Sequence, residues 1–176
     1  MEIDAGLCRL RPYRMSDCDP LLAIANDREV SRNMTERFPF PYTEADAREW
    51  LGFCASEGEP TRNFAVEVDG ELAGGAGIDV RSGERAGSAE MGYWLGRNYW
   101  GRGVATTVAK ALSVYAFATF DLDKLEATVF GWNLASARVL EKTGFQLEGR
   151  LRRSVVKDGD RTDLLLYGLL PPAGGG

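Results

Sequence analysis

Two runs of alternating residues near the middle of the chain flank a single Asp-Gly pair. The runs are NFAVEV, from Asn63, and ELAGGAGIDV, from Glu71, and only Asp69-Gly70 separates them. A two-residue Asp-Gly connection accepts positive φ at both positions and joins antiparallel strands through a type I′ turn. The sequence therefore predicts an antiparallel hairpin, around which the rest of the fold has to be arranged.

Short strands and helices alternate along the rest of the chain. Thr43 with Asp46 forms a capping box before a second helix, whose buried stripe falls on Ala47, Trp50, Leu51 and Cys54. The segment RFPFPYT, just before it, is predicted as an aromatic loop because its prolines remove backbone donors. The remaining strands are predicted at about 7–13, 88–96, 124–130, 146–157 and 161–169, and the remaining helices at about 16–27, 104–119 and 133–142.

The length and composition are those of one ordinary globular domain. The chain has 176 residues, of which 44% are hydrophobic and 27% charged. We expect a single domain over residues 1–170 and a flexible tail over 171–176, where the sequence is PPAGGG. The expected fold class is α+β, with a mixed, mostly antiparallel central sheet and helices on both faces.

Composition also removes several classes of function. The chain has no histidine, which excludes Ser-His-Asp and Cys-His nucleophiles, and its three cysteines lack the spacing of a zinc site, so no metal is expected. The net charge of −5 disfavours nucleic acid and membrane surfaces as partners and suits a cationic one. No apolar run approaches the roughly 20 residues of a membrane span, and the start MEIDAG lacks signal-peptide features, so a cytoplasmic location is expected.

The decapeptide NYWGRGVATT, from Asn98, carries two glycines one residue apart at the start of a predicted helix. Glycine lets a ligand approach the backbone, and the first amides of a helix have no partner within it, so the pattern is typical of a phosphate site. The spacing does not match a P-loop or a dinucleotide fingerprint. An ordinary strand-to-helix turn is the alternative interpretation.

The flanking sequence favours the phosphate site. The run AEMGYWLGRNYWGRGVATTVAKALSVYAF, followed by NLASARVLEKTGFQLEGRLR, resembles the GNAT superfamily of N-acetyltransferases. Together with LRPYRMSD and FPFPYTEADAREWL, it is similar to the Rim-type subfamily, which acetylates ribosomal-protein N-termini. The resemblance extends from about Leu7 to Leu170, and it implies a GNAT-like fold with acetyl-CoA as the co-substrate.

The resemblance implies that a set of residues binds the cofactor. The glycine motif would hold the pyrophosphate, although Asn98 stands where the family usually has Gln or Arg. The preceding strand would line the pantetheine arm, and the NLAS segment would hydrogen-bond it, with ordinary sheet packing and helix capping as the alternatives. The implied cofactor-binding residues are Tyr93, Trp94, Leu95, Asn98, Gly101, Arg102, Gly103, Val104, Ala105, Thr106, Asn133 and Ser136.

Three residues are assigned catalytic roles by the same resemblance. Glu90 would act as base toward the amine, directly or through a water, with a solvated or salt-bridged glutamate as the alternative. The backbone amide near Leu95 would polarise the acetyl carbonyl, and the Ser136 hydroxyl would protonate the leaving thiolate. Glu67 and Glu71, on the hairpin, are weaker candidates for the base and are expected to face solvent.

The expected function is transfer of an acetyl group from acetyl-CoA to a primary amine, by direct attack in a ternary complex. The acceptor would be a protein N-terminus or a small amine, and the sequence does not decide between them. A non-catalytic acyl-CoA-binding or sensing module is the alternative. The oligomeric state is also open, and the aromatic loop is compatible with a homodimer contact.

Overall fold

The computed structural model describes residues 1–172 of the chain. Within them lie eight strands and five α-helices. In chain order these are β1 (Ile3–Asp4), β2 (Arg9–Pro12), α1 (Cys18–Ala25), α2 (Arg28–Ser31), α3 (Glu44–Ser56), β3 (Asn63–Val68), β4 (Glu71–Val80), β5 (Ser88–Leu95), α4 (Val104–Thr119), β6 (Lys124–Phe130), α5 (Leu134–Lys142), β7 (Gln146–Lys157) and β8 (Asp160–Leu169).

The chain divides into two compact units. The first consists of Met1–Gly77 with Tyr93–Val108, and the second of Ile78–Gly92 with the chain from Ala109 onward. The chain passes from one unit to the other within β4, β5 and α4, so each of these elements contributes to both units. The domain boundary at residue 170 stays a prediction, and residues 173–176 of the predicted flexible tail lie outside the described residues.

The first unit contains the hairpin from which the fold was predicted. β1, β2, β3 and β4 pair in sequence order and antiparallel, and Asp69 and Gly70 have φ of 53° and 82°, as a type I′ turn requires. Thr43 and Asp46 form the predicted capping box of α3, whose Ala47 and Leu51 are buried in the core of this unit. The same core contains the buried side chains of Leu21, Tyr42, Ala65 and Leu72.

The second unit contains the strand order β5-β6-β8-β7. β5 and β6 are parallel, whereas β6 with β8 and β8 with β7 are antiparallel. The helix α5 ends at Lys142 with Thr143 as its C-cap, and Gly144 follows with φ of 93°, which is the left-handed conformation expected after a helix end. Among residues 1–172, no helix has the length and apolarity that crossing a bilayer demands.

The α+β class with mostly antiparallel strands is confirmed, and most predicted elements are found within a few residues. The first helix is an exception, because residues 15–17 form a 3-10 turn and α1 covers only Cys18–Ala25 of the predicted range 16–27. The Asp17 carboxylate accepts the Arg14 N–H at 2.8 Å, which caps this 3-10 turn. The four-residue helix α2 was not predicted, since it is too short for a periodic signal.

Candidate active site

The two glycines of the decapeptide form a bare bend directly before α4. Gly101 and Gly103 have φ of 71° and 79°, and both are exposed. A Cβ built on Gly101 would meet no atom within 4 Å, and one on Gly103 would meet only the Leu7 side chain at 3.7 Å. The backbone of this bend is therefore open to a ligand from outside.

The amides that follow the bend belong to the first turn of a 16-residue helix. Thr107 donates its N–H to the Gly103 carbonyl at 3.1 Å, which closes the first turn. The amides of Val104, Ala105 and Thr106 precede that bond, so they have no acceptor within the helix. Together with the positive end of the helix dipole, they suit an anion such as a diphosphate.

The Trp94 side chain, near the end of β5, packs against the core of the first unit. The Trp94 ring packs edge-on against Phe38, with 5.0 Å between the ring centroids. A Cβ at Gly75 would lie 2.7 Å from the Trp94 indole nitrogen and would overlap the Tyr13 hydroxyl. The Trp94 side chain is thus half-buried against the core of the first unit, as the packing alternative proposed, and its contact with a cofactor stays a prediction.

Three side-chain contacts hold the segment between β5 and the bend. Trp100 donates its indole N–H to the Leu95 carbonyl at 2.8 Å, and Tyr99 donates its hydroxyl to Glu71 at 3.3 Å. Arg97 donates to the Asp27 carboxylate from Nε at 2.9 Å and from Nη2 at 2.7 Å. These contacts fix the position from which the glycine bend starts.

Asn98 itself is exposed and, with Arg97, Asp27 and four neighbours, lines a surface cavity of about 370 Å³.

The side chain of Arg102, between the two glycines, contacts two other residues of the first unit. Its guanidinium carbon lies 5.6 Å from the centroid of the Tyr99 ring, and its Nη2 lies 3.7 Å from an Asp69 carboxylate oxygen. The sequence reading assigned Arg102 to the phosphate and used Asp69 only as a turn residue. In the structure, the guanidinium near the bend therefore already has a solvated acidic neighbour in Asp69.

Glu90, in the second unit, lies where the pairing of two parallel strands ends. β5 and β6 pair only from Ser88 with Lys124 to Glu90 with Glu126, although β6 continues to Phe130. One carboxylate oxygen of Glu90 accepts the Thr128 hydroxyl at 2.9 Å, and the other forms an ion pair with Arg81. Both oxygens are therefore engaged, as the salt-bridge alternative proposed.

Of the remaining acidic candidates, Glu71 is exposed as expected, whereas Glu67 is paired and mostly buried. Glu67 accepts from Arg11 Nε at 2.6 Å, and its side chain is only 17% exposed. Glu71 accepts the Tyr99 hydroxyl. The expectation was wrong for Glu67 because its cationic partner lies 56 residues earlier in the chain, beyond the range of any periodic signal.

Asn133 and Ser136 lie at the start of α5, in the second unit. The Asn133 side-chain oxygen accepts the Ser136 N–H at 3.2 Å, which is the geometry of a helix N-cap. The capping alternative for Asn133 is confirmed, and its contact with a cofactor stays a prediction. Ser136 is half-buried.

The structure thus gathers the predicted residues into two sets. The first unit holds Tyr93, Trp94, Leu95 and the segment from Asn98 to Thr106, and the second holds Glu90, Asn133 and Ser136. The sequence reading missed Arg81 and Thr128 on Glu90, and also the Asp27 and Asp69 contacts in the first unit. Each of these contacts joins polar side chains from separate elements of the fold, and no periodic pattern or motif in a single sequence predicts such a contact.

Comparisons with known proteins agree with this geometry. The model of the acetyltransferase (GNAT) domain matches residues 8–146. The uncharacterized N-acetyltransferase p20 of Bacillus licheniformis is 32% identical over 166 residues, which are 92% of this chain and 91% of p20. The spermidine N(1)-acetyltransferase of Escherichia coli (strain K12) is 29% identical over 152 residues, covering 86% of this chain and 79% of that protein.

A solved structure extends the agreement to three dimensions. Mycobacterium smegmatis RimJ, in complex with CoA-disulfide, superposes with a TM-score of 0.77 at 29% identity, covering 94% of this chain and 83% of that chain. This similarity is consistent with the Rim-type resemblance of the sequence. Because the domain model covers more than half of the chain and p20 matches nearly all of it, the protein belongs to the GNAT family of acetyltransferases.

Proposed function

We propose that this protein transfers an acetyl group from acetyl-CoA to a primary amine, and that the bend at Gly101 and Gly103 binds the coenzyme diphosphate. The observation that carries the proposal is the open, positive-φ backbone of this bend at the start of a 16-residue helix. Such a site offers several N–H donors and a favourable dipole to an anion. The coenzyme in the RimJ complex supports the choice of anion.

Binding can be tested by a matched pair of glycine substitutions. Gly101 and Gly159 both have positive φ, of 71° and 86°, and a Cβ at either position would meet no atom within 4 Å. Alanine at either position costs a similar backbone strain, on the order of 1–2 kcal/mol. Only Gly101→Ala places a methyl group against the proposed ligand, so it should weaken acetyl-CoA binding by about tenfold or more, which is about 1.4 kcal/mol.

Calorimetry and thermal unfolding provide the readouts. Acetyl-CoA at about a hundred times its Kd should stabilise the wild-type protein by about 2.7 kcal/mol, which raises the melting temperature by roughly 5–10 °C. Gly159→Ala should keep this shift, and Gly101→Ala, at the same ligand concentration, should lose about half of it or more. If both variants lost the same part of the melting-temperature shift, the proposal that the diphosphate binds at this bend would be refuted.

The chemistry we propose is direct attack within a ternary complex. The amine lone pair forms a bond to the thioester carbon, the carbonyl becomes an oxyanion, and the C–S bond then breaks to release the thiolate of coenzyme A. The nitrogen loses one proton and the thiolate gains one. We assign the backbone amide near Leu95 to the oxyanion, a contact worth about 2.7–4 kcal/mol in other acyl transfers. Positioning of the two substrates contributes the rest.

Glu90 is the proposed acceptor of the amine proton. Thr128 and Arg81 each engage one of its oxygens, and each oxygen keeps a second lone pair that can accept the amine proton directly or through a water. Glu90→Gln should lower turnover by at least about tenfold while the acetyl-CoA affinity is kept. Glu84→Gln, an exposed substitution in the same unit, is the control. Unchanged turnover in Glu90→Gln would refute the base role.

Ser136 is the proposed donor of a proton to the leaving thiolate, and Asn133 the proposed partner of the pantetheine arm. A thiol pKa near 8.5 makes the thiolate a moderate leaving group, so one hydroxyl gives limited help. The acceptor is a primary amine, either a protein N-terminus or a small amine, and the E. coli spermidine acetyltransferase relative supports testing polyamines. Release of free thiol across a panel of amines and N-terminal peptides tests the transfer.

A non-catalytic acyl-CoA-binding module is the competing function. The engagement of both Glu90 oxygens is the observation that favours it. A protein that binds acetyl-CoA but releases no thiol with any member of the panel would be such a module.

A further inference from the structure

The side chain of Arg102 is held on the surface by an acid from another element. Asp69 lies in the turn between β3 and β4, and its carboxylate faces the Arg102 Nη2 at 3.7 Å. The Arg102 side chain is 50% exposed and that of Asp69 is 87% exposed. The cation nearest to the glycine bend is therefore already paired, although only through a solvated contact.

The charge of Asp69 is separable from its role in the turn. Asp69 and Gly70 have φ of 53° and 82°, and a type I′ turn accepts Asn-Gly as well as Asp-Gly. The backbone of the hairpin consequently places no demand on a negative charge at position 69. Replacing the carboxylate by an amide removes its charge without disturbing the turn.

We propose that Asp69 lowers the affinity of the bend for the coenzyme by competing for Arg102. This inference depends on the proposed function, because it requires the diphosphate to lie at Gly101 and Gly103. When the anion binds, the guanidinium leaves the Asp69 carboxylate and donates to a phosphate oxygen, which is the stronger, charge-assisted partner. Asp69 then becomes fully hydrated, so part of the binding free energy is used to break the pair.

The size of the effect follows from the exposure of the pair. Ion pairs between exposed side chains are worth about 0.2–1 kcal/mol, which corresponds to a change of roughly 1.4- to 5-fold in Kd. The pair is also screened by salt, since the Debye length falls from about 30 Å at 0.01 M to about 3 Å at 1 M. The competition should therefore be strongest in dilute buffer.

The experiment is a titration of the full-length protein with coenzyme A by calorimetry. Asp69→Asn should tighten the Kd by about two- to fivefold at low ionic strength, and the gain should shrink at high salt. Asp158→Asn is the control, because Asp158-Gly159 is a second exposed turn with nearly the same φ values, 52° and 86°. This control loses the same charge and should leave the Kd unchanged.

A double variant separates competition from simple repulsion between Asp69 and the ligand. In an Arg102→Met background there is no cation to release, so Asp69→Asn should no longer tighten binding. An equal gain in that background would mean that Asp69 only repels the coenzyme, and it would overturn the inference. The inference would also be overturned if Asp69→Asn alone bound coenzyme A no more tightly than the wild-type protein.

Failure of the proposed function would look different. In that case the wild-type protein itself would give no binding signal with coenzyme A, and both proposals would fall. If the wild-type protein binds coenzyme A and Gly101→Ala does not, the proposed site at the glycine bend is supported. The Asp69 variants alone then decide this inference.

Discussion

Replacing Arg11 by methionine should destabilise the protein more than removal of any exposed charge. The Arg11 guanidinium on β2 donates to both carboxylate oxygens of Asp17, at 2.8 and 2.9 Å, and through Nε to Glu67 at 2.6 Å. Arg11 and Asp17 are only 4% and 5% exposed. These two carboxylates hold the pKa of the guanidinium above its usual value, despite the opposing effect of burial.

The magnitude follows from what the substitution leaves behind. Arg11→Met keeps much of the buried volume but leaves two carboxylates without their cation. Breaking a buried ion pair in this way costs about 3–5 kcal/mol. We expect the lower half of that range, because Asp17 keeps the Arg14 N–H as a donor and the Glu67 side chain, 17% exposed, can gain a water. The loss is a large share of a typical stability of about 5–15 kcal/mol.

Urea unfolding followed by tryptophan fluorescence measures this loss. Arg14→Met is the matched control, because the Arg14 side chain pairs with Glu2 at 3.2 Å with both side chains about half exposed. That pair should be worth at most about 1 kcal/mol. If Arg11→Met costs no more than Arg14→Met, the buried network does not stabilise the fold and the reasoning is refuted.

Two further predictions follow from packing and burial. Gly75→Ala should cost about 1–3 kcal/mol in urea unfolding, because its Cβ would collide with the Tyr13 hydroxyl and the Trp94 ring. Gly92→Ala, whose Cβ would meet no atom within 4 Å, should change stability little, and equal costs would contradict the argument. Burial raises the pKa of the Cys54 thiol from 9.0 to about 12, so a thiol reagent at pH 8 should modify it roughly 30- to 60-fold more slowly than in the urea-unfolded chain, because the lower thiolate fraction outweighs the higher nucleophilicity of that thiolate. The neutral thiol also stabilises the folded protein, and this contribution is complete below pH about 9 and is lost as the pH rises toward 12. Fast labelling of the native protein would contradict the raised pKa on which both the slow labelling and this pH dependence rest.

The kinds of element and most of their bounds could be read from the sequence alone. Asp69-Gly70 specified a type I′ hairpin, Thr43 with Asp46 specified the start of α3, and Gly101 with Gly103 specified a bare bend before α4. Each of these signals is local, since a turn, a cap or a helix start depends on residues within a few positions of one another. The longer runs around this motif, read together with the NLAS segment and the first third of the chain, gave the family resemblance that the comparisons confirmed.

The partners of the charged side chains were decided by the tertiary structure. Arg11 meets Glu67 across 56 residues, Glu90 meets Thr128 across 38, and Arg102 faces Asp69 in the turn between β3 and β4. Whether two charges pair depends on their distance in space and on solvent access, and neither quantity is periodic along the chain. For this reason the sequence named Glu90 and Arg102 as chemical groups, whereas the structure shows which side chains already contact each of them.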